Sequence, residues 1–181
     1  MTVEEKLGYI GGIDWMYTKS IDRLGIHRMR MSDGPQGIGT KGKSTAYPAT
    51  VTLAATWNEN LAYQYGKALG RDCRARNINV ILGPAVNIYR APMCGRNFEY
   101  MGEDPYLTSR ICVGYIKGVQ DQGVMATVKH FVANNSDYDR NNISNDIDER
   151  TLNEIYFPAY KAAIQEAEVG AIMTSYNLMN G

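Results

Sequence analysis

The spacing of apolar residues switches along the chain between the two-residue repeat of a strand and the three-to-four-residue repeat of a helix. Thr2-Val3-Glu4-Glu5 fits a capping box and predicts a short opening helix that fades near Gly11-Gly12. Arg28-Met29-Arg30-Met31 alternates ahead of Ser32-Asp33-Gly34-Pro35, a strand running into a turn. Residues 35–48, rich in Gly, Lys, Ser and Thr, read as a loop, and residues 51–56 as a second short strand. Asn58 stands where an N-cap belongs, before Leu61, Tyr65, Ala68, Leu69 and Cys73 at helical spacing, so a helix is expected to about Arg76. Asn79-Val80-Ile81-Leu82 is a near-continuous apolar run, as strands buried on both faces show, and it exits through Gly83-Pro84.

Residues 89–103 are irregular, and Asp104-Pro105 supplies an N-cap and first turn for a helix to about Gln120. After Gly123 a strand over residues 124–128 ends in Lys129-His130-Phe131. Residues 134–146 hold five Asn and form a polar loop. Thr151-Leu152-Asn153-Glu154 reads as a second capping box, opening a helix to about Glu168 that Pro158 breaks or kinks. Gly170 ends it, and residues 171–175 are the last strand. Strands alternating with helices predict an α/β fold with a parallel sheet. About five strands are present, enough for a doubly wound sheet and too few to close a barrel of eight. No internal repeat, low-complexity tract or linker interrupts the pattern.

Composition narrows the class. The 181 residues carry 19 basic and 19 acidic side chains, so the net charge is zero and no basic run exists. That argues against nucleic acid or an anionic membrane surface as a partner. No apolar stretch approaches a membrane span, and the chain does not open with a basic then apolar leader. Cys73, Cys94 and Cys112 are an odd number, widely separated, with no zinc spacing; they read as reduced thiols, and a cytoplasmic location is expected rather than a secreted one. No cofactor or metal is expected. Tyr (13) outnumbers Phe (3), a skew that suits either a polyhydroxylated ligand or amphipathic surface positions.

Polar residues with chemistry follow the strands. Asp33 follows the first, Arg96 lies in the long loop after the third, Lys129-His130 end the fourth and Tyr176-Asn177 the fifth. In parallel α/β structures those points share one rim, the carboxyl ends of the strands, where such folds place their sites. Each has a plainer reading. Asp33 also fits a turn cap; Arg96 also fits an ion pair with Glu99 or Glu103; Glu103-Asp104 fit a helix start; His27 fits the surface. Adjacent Lys129 and His130 point opposite ways on a regular strand, so only an irregular backbone brings both into one pocket. Asn134-Asn135-Ser136 and Asn142-Ile143-Ser144 match a weak glycosylation sequon. Gly34, Gly37 and Gly39 do not open a helix, so no phosphate loop is present. The inventory suits a neutral sugar or a small anion.

In order along the chain stand Ser32-Asp33-Gly34-Pro35-Gln36-Gly37, Gly95-Arg96-Asn97-Phe98-Glu99, Gly102-Glu103-Asp104-Pro105, Lys129-His130-Phe131, Asp148-Glu149-Arg150 and Ser175-Tyr176-Asn177. Together they resemble the N-terminal barrel domain of glycoside hydrolase family 3, most of all bacterial-type β-glucosidases, from Thr2 to Gly181. The resemblance implies a partial (β/α)8 TIM-like barrel, with the rest of the barrel and an α/β sandwich domain outside this chain. It implies retaining hydrolysis of terminal β-glucosyl groups, a β-glucoside or oligosaccharide substrate, and sugar-binding roles for Asp33, Arg96, Lys129, His130 and Tyr176. The family's nucleophile lies in a Ser-Asp-Trp-type motif and its acid/base usually in the following domain; both are expected beyond Gly181, so residues 1–181 are expected to form half a sugar pocket that needs the rest of its own chain. After Lys129-His130-Phe131 stands Val-Ala-Asn-Asn rather than the Pro-Gly-His-Gly of the family's N-acetylglucosaminidases. Xylosidase or arabinosidase specificity, a non-catalytic carbohydrate-binding module, and a Schiff-base lyase using Lys129 stay open as alternatives.

Overall fold

A computed structural model describes residues 1–39 and 42–181. Thr40 and Lys41, inside the expected loop, lie outside the described residues. The opening helix α1 (Val3–Gly11) carries the expected capping box: the Thr2 hydroxyl accepts from Glu5 N, and the Glu5 carboxylate accepts from Thr2 N. Four parallel strands form the main sheet: β1 (Met31–Asp33), β2 (Val80–Leu82), β3 (Met125–Phe131) and, after a short β4 (Ser144–Asn145), β5 (Ala171–Thr174). They lie side by side in chain order, with Met31 opposite Val80, Val80 opposite Met125 and Thr127 opposite Ala171. A doubly wound sheet reverses direction at a switch point; this one does not, which is the order of a barrel wall. The described residues leave it open.

Two of the expected boundaries move. The first strand begins at Met31, where the alternating run was expected to end, and reaches Asp33. The last helical segment is capped by Asp148, whose carboxylate accepts from Thr151 N, and not by Thr151. It runs as a turn over Glu149–Thr151, a π-helical turn over Leu152–Tyr156 and a helix over Pro158–Gln165, so Pro158 divides it as expected.

One element changes type. Of residues 51–56, read as a strand, the first four belong to helix α2 (Thr50–Ala54) and the last two to the turn that follows it. Leu53 and Ala54 are buried, and the Thr50 hydroxyl donates to the Glu99 carbonyl at 2.7 Å, so contacts far along the chain decide a segment whose β-branched residues favour a strand. The main sheet therefore has four strands; β4 pairs separately with β6 (Leu178–Met179).

Helices α3 (Glu59–Ala75) and α4 (Pro105–Gln120) start as expected: the Asn58 and Asp104 side chains accept from Leu61 N and Leu107 N. Ala62, Tyr65, Gly66, Leu69, Gly70 and Cys73 make one buried stripe of α3. Glycines let the two helices touch backbone to backbone; a Cβ on Gly114 would sit 2.6 Å from the Glu59 carbonyl oxygen. The core lies between these helices and the sheet, leaving the carboxyl ends of the strands to the loops. Cys73, Cys94 and Cys112 are free and buried, and burial raises all three thiol pKa values, Cys73 to about 12. Among the described residues no helix is long and apolar enough to cross a membrane, and no cluster of three or more metal-ligating side chains occurs.

Candidate functional site

The strand ends bring together side chains distant in sequence. Asp33 closes β1, where Gly34 (φ 131°) turns the chain in a conformation L residues rarely adopt; a Cβ there would collide with the Gly37 carbonyl. The long loop after β2 carries a 3₁₀ turn, Asn97–Glu99, with Arg96 immediately before it. Arg96 Nε donates to Glu99 Oε1 at 2.6 Å. Lys129, at the end of β3, points its Nζ at Glu99 Oε2 (3.3 Å) and Asp33 Oδ1 (3.8 Å). Lys129 and Glu99 side chains are 2% and 3% exposed, whereas that of Asp33 is 61% exposed. Buried carboxylate and buried ammonium thus hold each other, while Asp33 keeps a face toward solvent.

Lys129 and His130 are both buried despite being neighbours. The backbone is irregular here: the Lys129–His130 peptide is cis and the register with β5 shifts between Lys129 and Phe131. Main-chain groups are clamped on both sides. His130 N donates to Asn87 Oδ1 (2.9 Å), and the His130 carbonyl accepts from Asn87 Nδ2 (3.0 Å) and the Tyr160 hydroxyl (2.7 Å). His130 Nδ1 is buried and has no partner among the described residues. Burial, then the nearby Arg96, Lys129 and Arg140, hold the imidazole pKa at about 2, so the ring is neutral, with one nitrogen to donate and one to accept.

Tyr176, after β5, completes the rim. Its ring centroid lies 6.0 Å from that of His130, 5.9 Å from Arg96 Cζ and 4.0 Å from Arg140 Cζ. All five expected residues therefore share one site. Glu99, expected only as an ion-pair partner of Arg96, and Arg140, not singled out from sequence, join them. Arg96 does pair with Glu99, as the plainer reading of that spacing expects, and Glu103 stays outside the pair. Asp104 caps α4, as its position before Pro105 predicts.

Charge in the cluster is balanced. Arg96, Lys129 and Arg140 face Glu99, Asp33 and Asp137, the last 3.7 Å from Arg140. Burial lowers the Lys129 pKa, but Glu99 and Asp33 oppose that shift. Both carboxylates favour the charged form of this amine, although burial outweighs them and the net shift is downward. Burial also opposes the charge on Arg96, yet Glu99 overcomes it and raises its pKa. With no surplus charge, the set fits a neutral ligand that both donates and accepts hydrogen bonds better than an anion. A cleft of ≈ 700 Å³ lined by Tyr89, Arg90, Glu103 and Arg150, among others, shares no residue with this cluster.

Known proteins are similar in fold and sequence. The chain is 44% identical to thermostable beta-glucosidase B of Acetivibrio thermocellus, covering 100% of this chain and 26% of that protein. It is 46% identical to a beta-glucosidase of Rhizobium radiobacter, covering 100% of this chain and 23% of that one. It thus spans about a quarter of the length of these relatives. All of it superposes on the beta-glucosidase from Kluyveromyces marxianus in complex with glucose, with a TM-score of 0.97, 40% identity and 22% of that chain covered. It does the same on beta-glucosidase 3B from Thermotoga neapolitana in complex with glucose, with a TM-score of 0.93, 36% identity and 29% covered. Both solved structures are similar across the whole rim-forming segment, and the profile described as Glycosyl hydrolase family 3 N terminal domain matches residues 12–181, so the chain belongs to that family.

Proposed function

We propose that these residues form the sugar-binding wall of a retaining β-glucosidase, with the nucleophile and the acid/base carried by parts of the protein outside residues 1–181. The observation that carries the proposal is the convergence of Asp33, Arg96, Lys129, His130 and Tyr176 on one charge-balanced rim. The Asp33 carboxylate, exposed and only loosely paired, accepts from sugar hydroxyls. Arg96 and Lys129 donate to hydroxyl oxygens, neutral His130 does either, and Tyr176 offers a ring face and a hydroxyl. Retaining hydrolysis needs two carboxyl groups about 5–5.5 Å apart across the scissile bond. Glu99 cannot be one, because both its oxygens face cations. Asp33 is assigned to binding.

The test uses the full-length protein and aryl β-glucosides, with aryl β-xylosides and α-arabinosides in parallel. Hydrolysis of the glucoside with retention at C1, read by NMR, and competitive inhibition by glucose are expected. Preference for a pentoside would move the assignment to a β-xylosidase or arabinosidase. Binding of glucose without turnover by the full-length protein would leave a carbohydrate-binding module. Residues 1–181 alone are expected to turn over nothing.

A further inference from the structure

Among the buried charged side chains, Glu99 is the one that the sugar-binding reading does not use. It sits in the 3₁₀ turn after β2, is 2% exposed, and is fixed through its main chain: Glu99 N donates to the Arg96 carbonyl (3.1 Å) and the Glu99 carbonyl accepts from Thr50 Oγ1 (2.7 Å). Its two oxygens are divided between two elements. Oε1 takes Arg96 Nε at 2.6 Å, and Oε2 faces Lys129 Nζ at 3.3 Å. Arg has five N–H donors in a rigid fork. Occupying Nε fixes the guanidinium, whose Cζ lies 5.9 Å from the Tyr176 ring, and leaves its terminal nitrogens free of Glu99. Lys129 is likewise aimed from below, with Asp33 on its open side.

We propose that Glu99 is a positioning residue: its buried carboxylate locks Arg96 and Lys129 into one donor array without touching the sugar. The inference deepens the β-glucosidase reading and rests on it for its kinetic readout only. The groups facing the Lys129 ammonium are Glu99 and Asp33, which favour its charge, and Arg96, which opposes it. With Glu99 neutralised, Arg96 and buried Lys129 face each other with Asp33 alone, so the ammonium loses its proton at lower pH.

Glu99→Gln and Glu99→Asp in the full-length protein separate this role from packing. For Glu99→Gln, kcat/KM for an aryl β-glucoside falls about 10- to 100-fold, the loss of one charge-assisted contact. The alkaline limb of its pH profile moves to lower pH. Glu99→Asp keeps the charge on a shorter arm, so kcat/KM falls less and the limb stays in place. Crystal structures of both variants with glucose show the Arg96 guanidinium turned in Glu99→Gln. A Glu99→Gln protein with unmoved Arg96 and Lys129 and kcat/KM within about twofold of the parent overturns the proposal, as does a Glu99→Asp protein as impaired as Glu99→Gln. If Glu99→Gln does not fold, Glu99→Asp decides alone: unchanged kcat/KM refutes. A parent without β-glucoside hydrolysis ends the β-glucosidase reading, while the Arg96 and Lys129 positions still decide this one.

Discussion

Asp33→Ala distinguishes a group held for a ligand from one held for the fold. The Asp33 carboxylate is 61% exposed, lies 3.8 Å from Lys129 Nζ, and is not the ammonium's only partner, because Glu99 is closer at 3.3 Å. Only the Asp33 end of this pair is exposed, and the buried ammonium keeps the closer Glu99, so the pair with Asp33 contributes about 0–1 kcal/mol to folding. The main-chain turn is untouched, since Gly39 N donates to the Asp33 carbonyl and not to its side chain. Stability should therefore change by under about 1 kcal/mol. Binding is another matter. Two sugar hydroxyls donating to the carboxylate are worth roughly 1.5–3 kcal/mol each before the loss of water contacts. A net transition-state loss of about 2–4 kcal/mol corresponds to about a 30- to 1,000-fold fall in kcat/KM. The assay is kcat/KM on an aryl β-glucoside beside a thermal melt of the same full-length variant. Near-parental kcat/KM refutes the role of Asp33; a collapsed melt refutes the separation of binding from folding.

Three further outcomes follow from the same geometry. Gly118→Ala drives a Cβ into the Tyr63 carbonyl and to 2.7 Å from Lys67 N at the contact of α3 and α4, so it should cost about 1–3 kcal/mol and lower the melting temperature; an unchanged melt contradicts the packing described. His130 has a folded pKa of about 2 against 6.5 unfolded, so the unfolded state takes up the proton first and stability falls as pH drops below 6.5. Two pH units below that value the loss is about 3 kcal/mol, and His130→Gln should flatten the fall of melting temperature with acid; parallel curves for the two proteins refute it. Among the described residues the outer edge of β5 is unpaired, and Ile172 is 44% exposed, so residues 1–181 alone should self-associate in light scattering; a monodisperse monomer with a sharp cooperative melt contradicts this.

Elements with their own local chemistry were legible. Asn58, Asp104 and Thr2 each place a side-chain oxygen on an orphan N–H of the next turn, and each helix begins where that chemistry predicts. Residues 50–54 were not legible, because their apolar run is too short to carry a period and Thr50 is committed by the Glu99 and Tyr100 carbonyls of a distant loop. Thr151 looked like a cap, yet Asp148 stands three residues earlier and bonds both Thr151 N and Oγ1. The convergence of the site residues on one rim was legible from their places after strands. Their mutual geometry was not. Arg140 lies in an Asn-rich loop with no pattern of its own, and it reaches Tyr176 because β4 and β6 tie that loop beside the chain that follows Tyr176.

Charge balance explains why such a polar cluster can be sequestered at all. A buried carboxylate or ammonium costs several kcal/mol unless paired, and Glu99 and Lys129 each meet that cost through the other, with Arg96 on the first and Asp33 on the second. The pairing is staggered rather than closed. Glu99 uses both oxygens inward, whereas Asp33, Arg96 and His130 Nδ1 keep capacity that no protein group among the described residues takes. An anionic ligand would need a cation not already spoken for, and Lys129 and Arg96 are each committed to Glu99. A neutral polyol asks for no net charge; it inserts hydroxyls that donate to Asp33 and accept from the cations, leaving the Glu99 pairing beneath intact. The same arrangement makes folding sensitive to single charge changes at Glu99 or Lys129 and insensitive to one at Asp33, an asymmetry that neither a turn cap nor an isolated ion pair would produce.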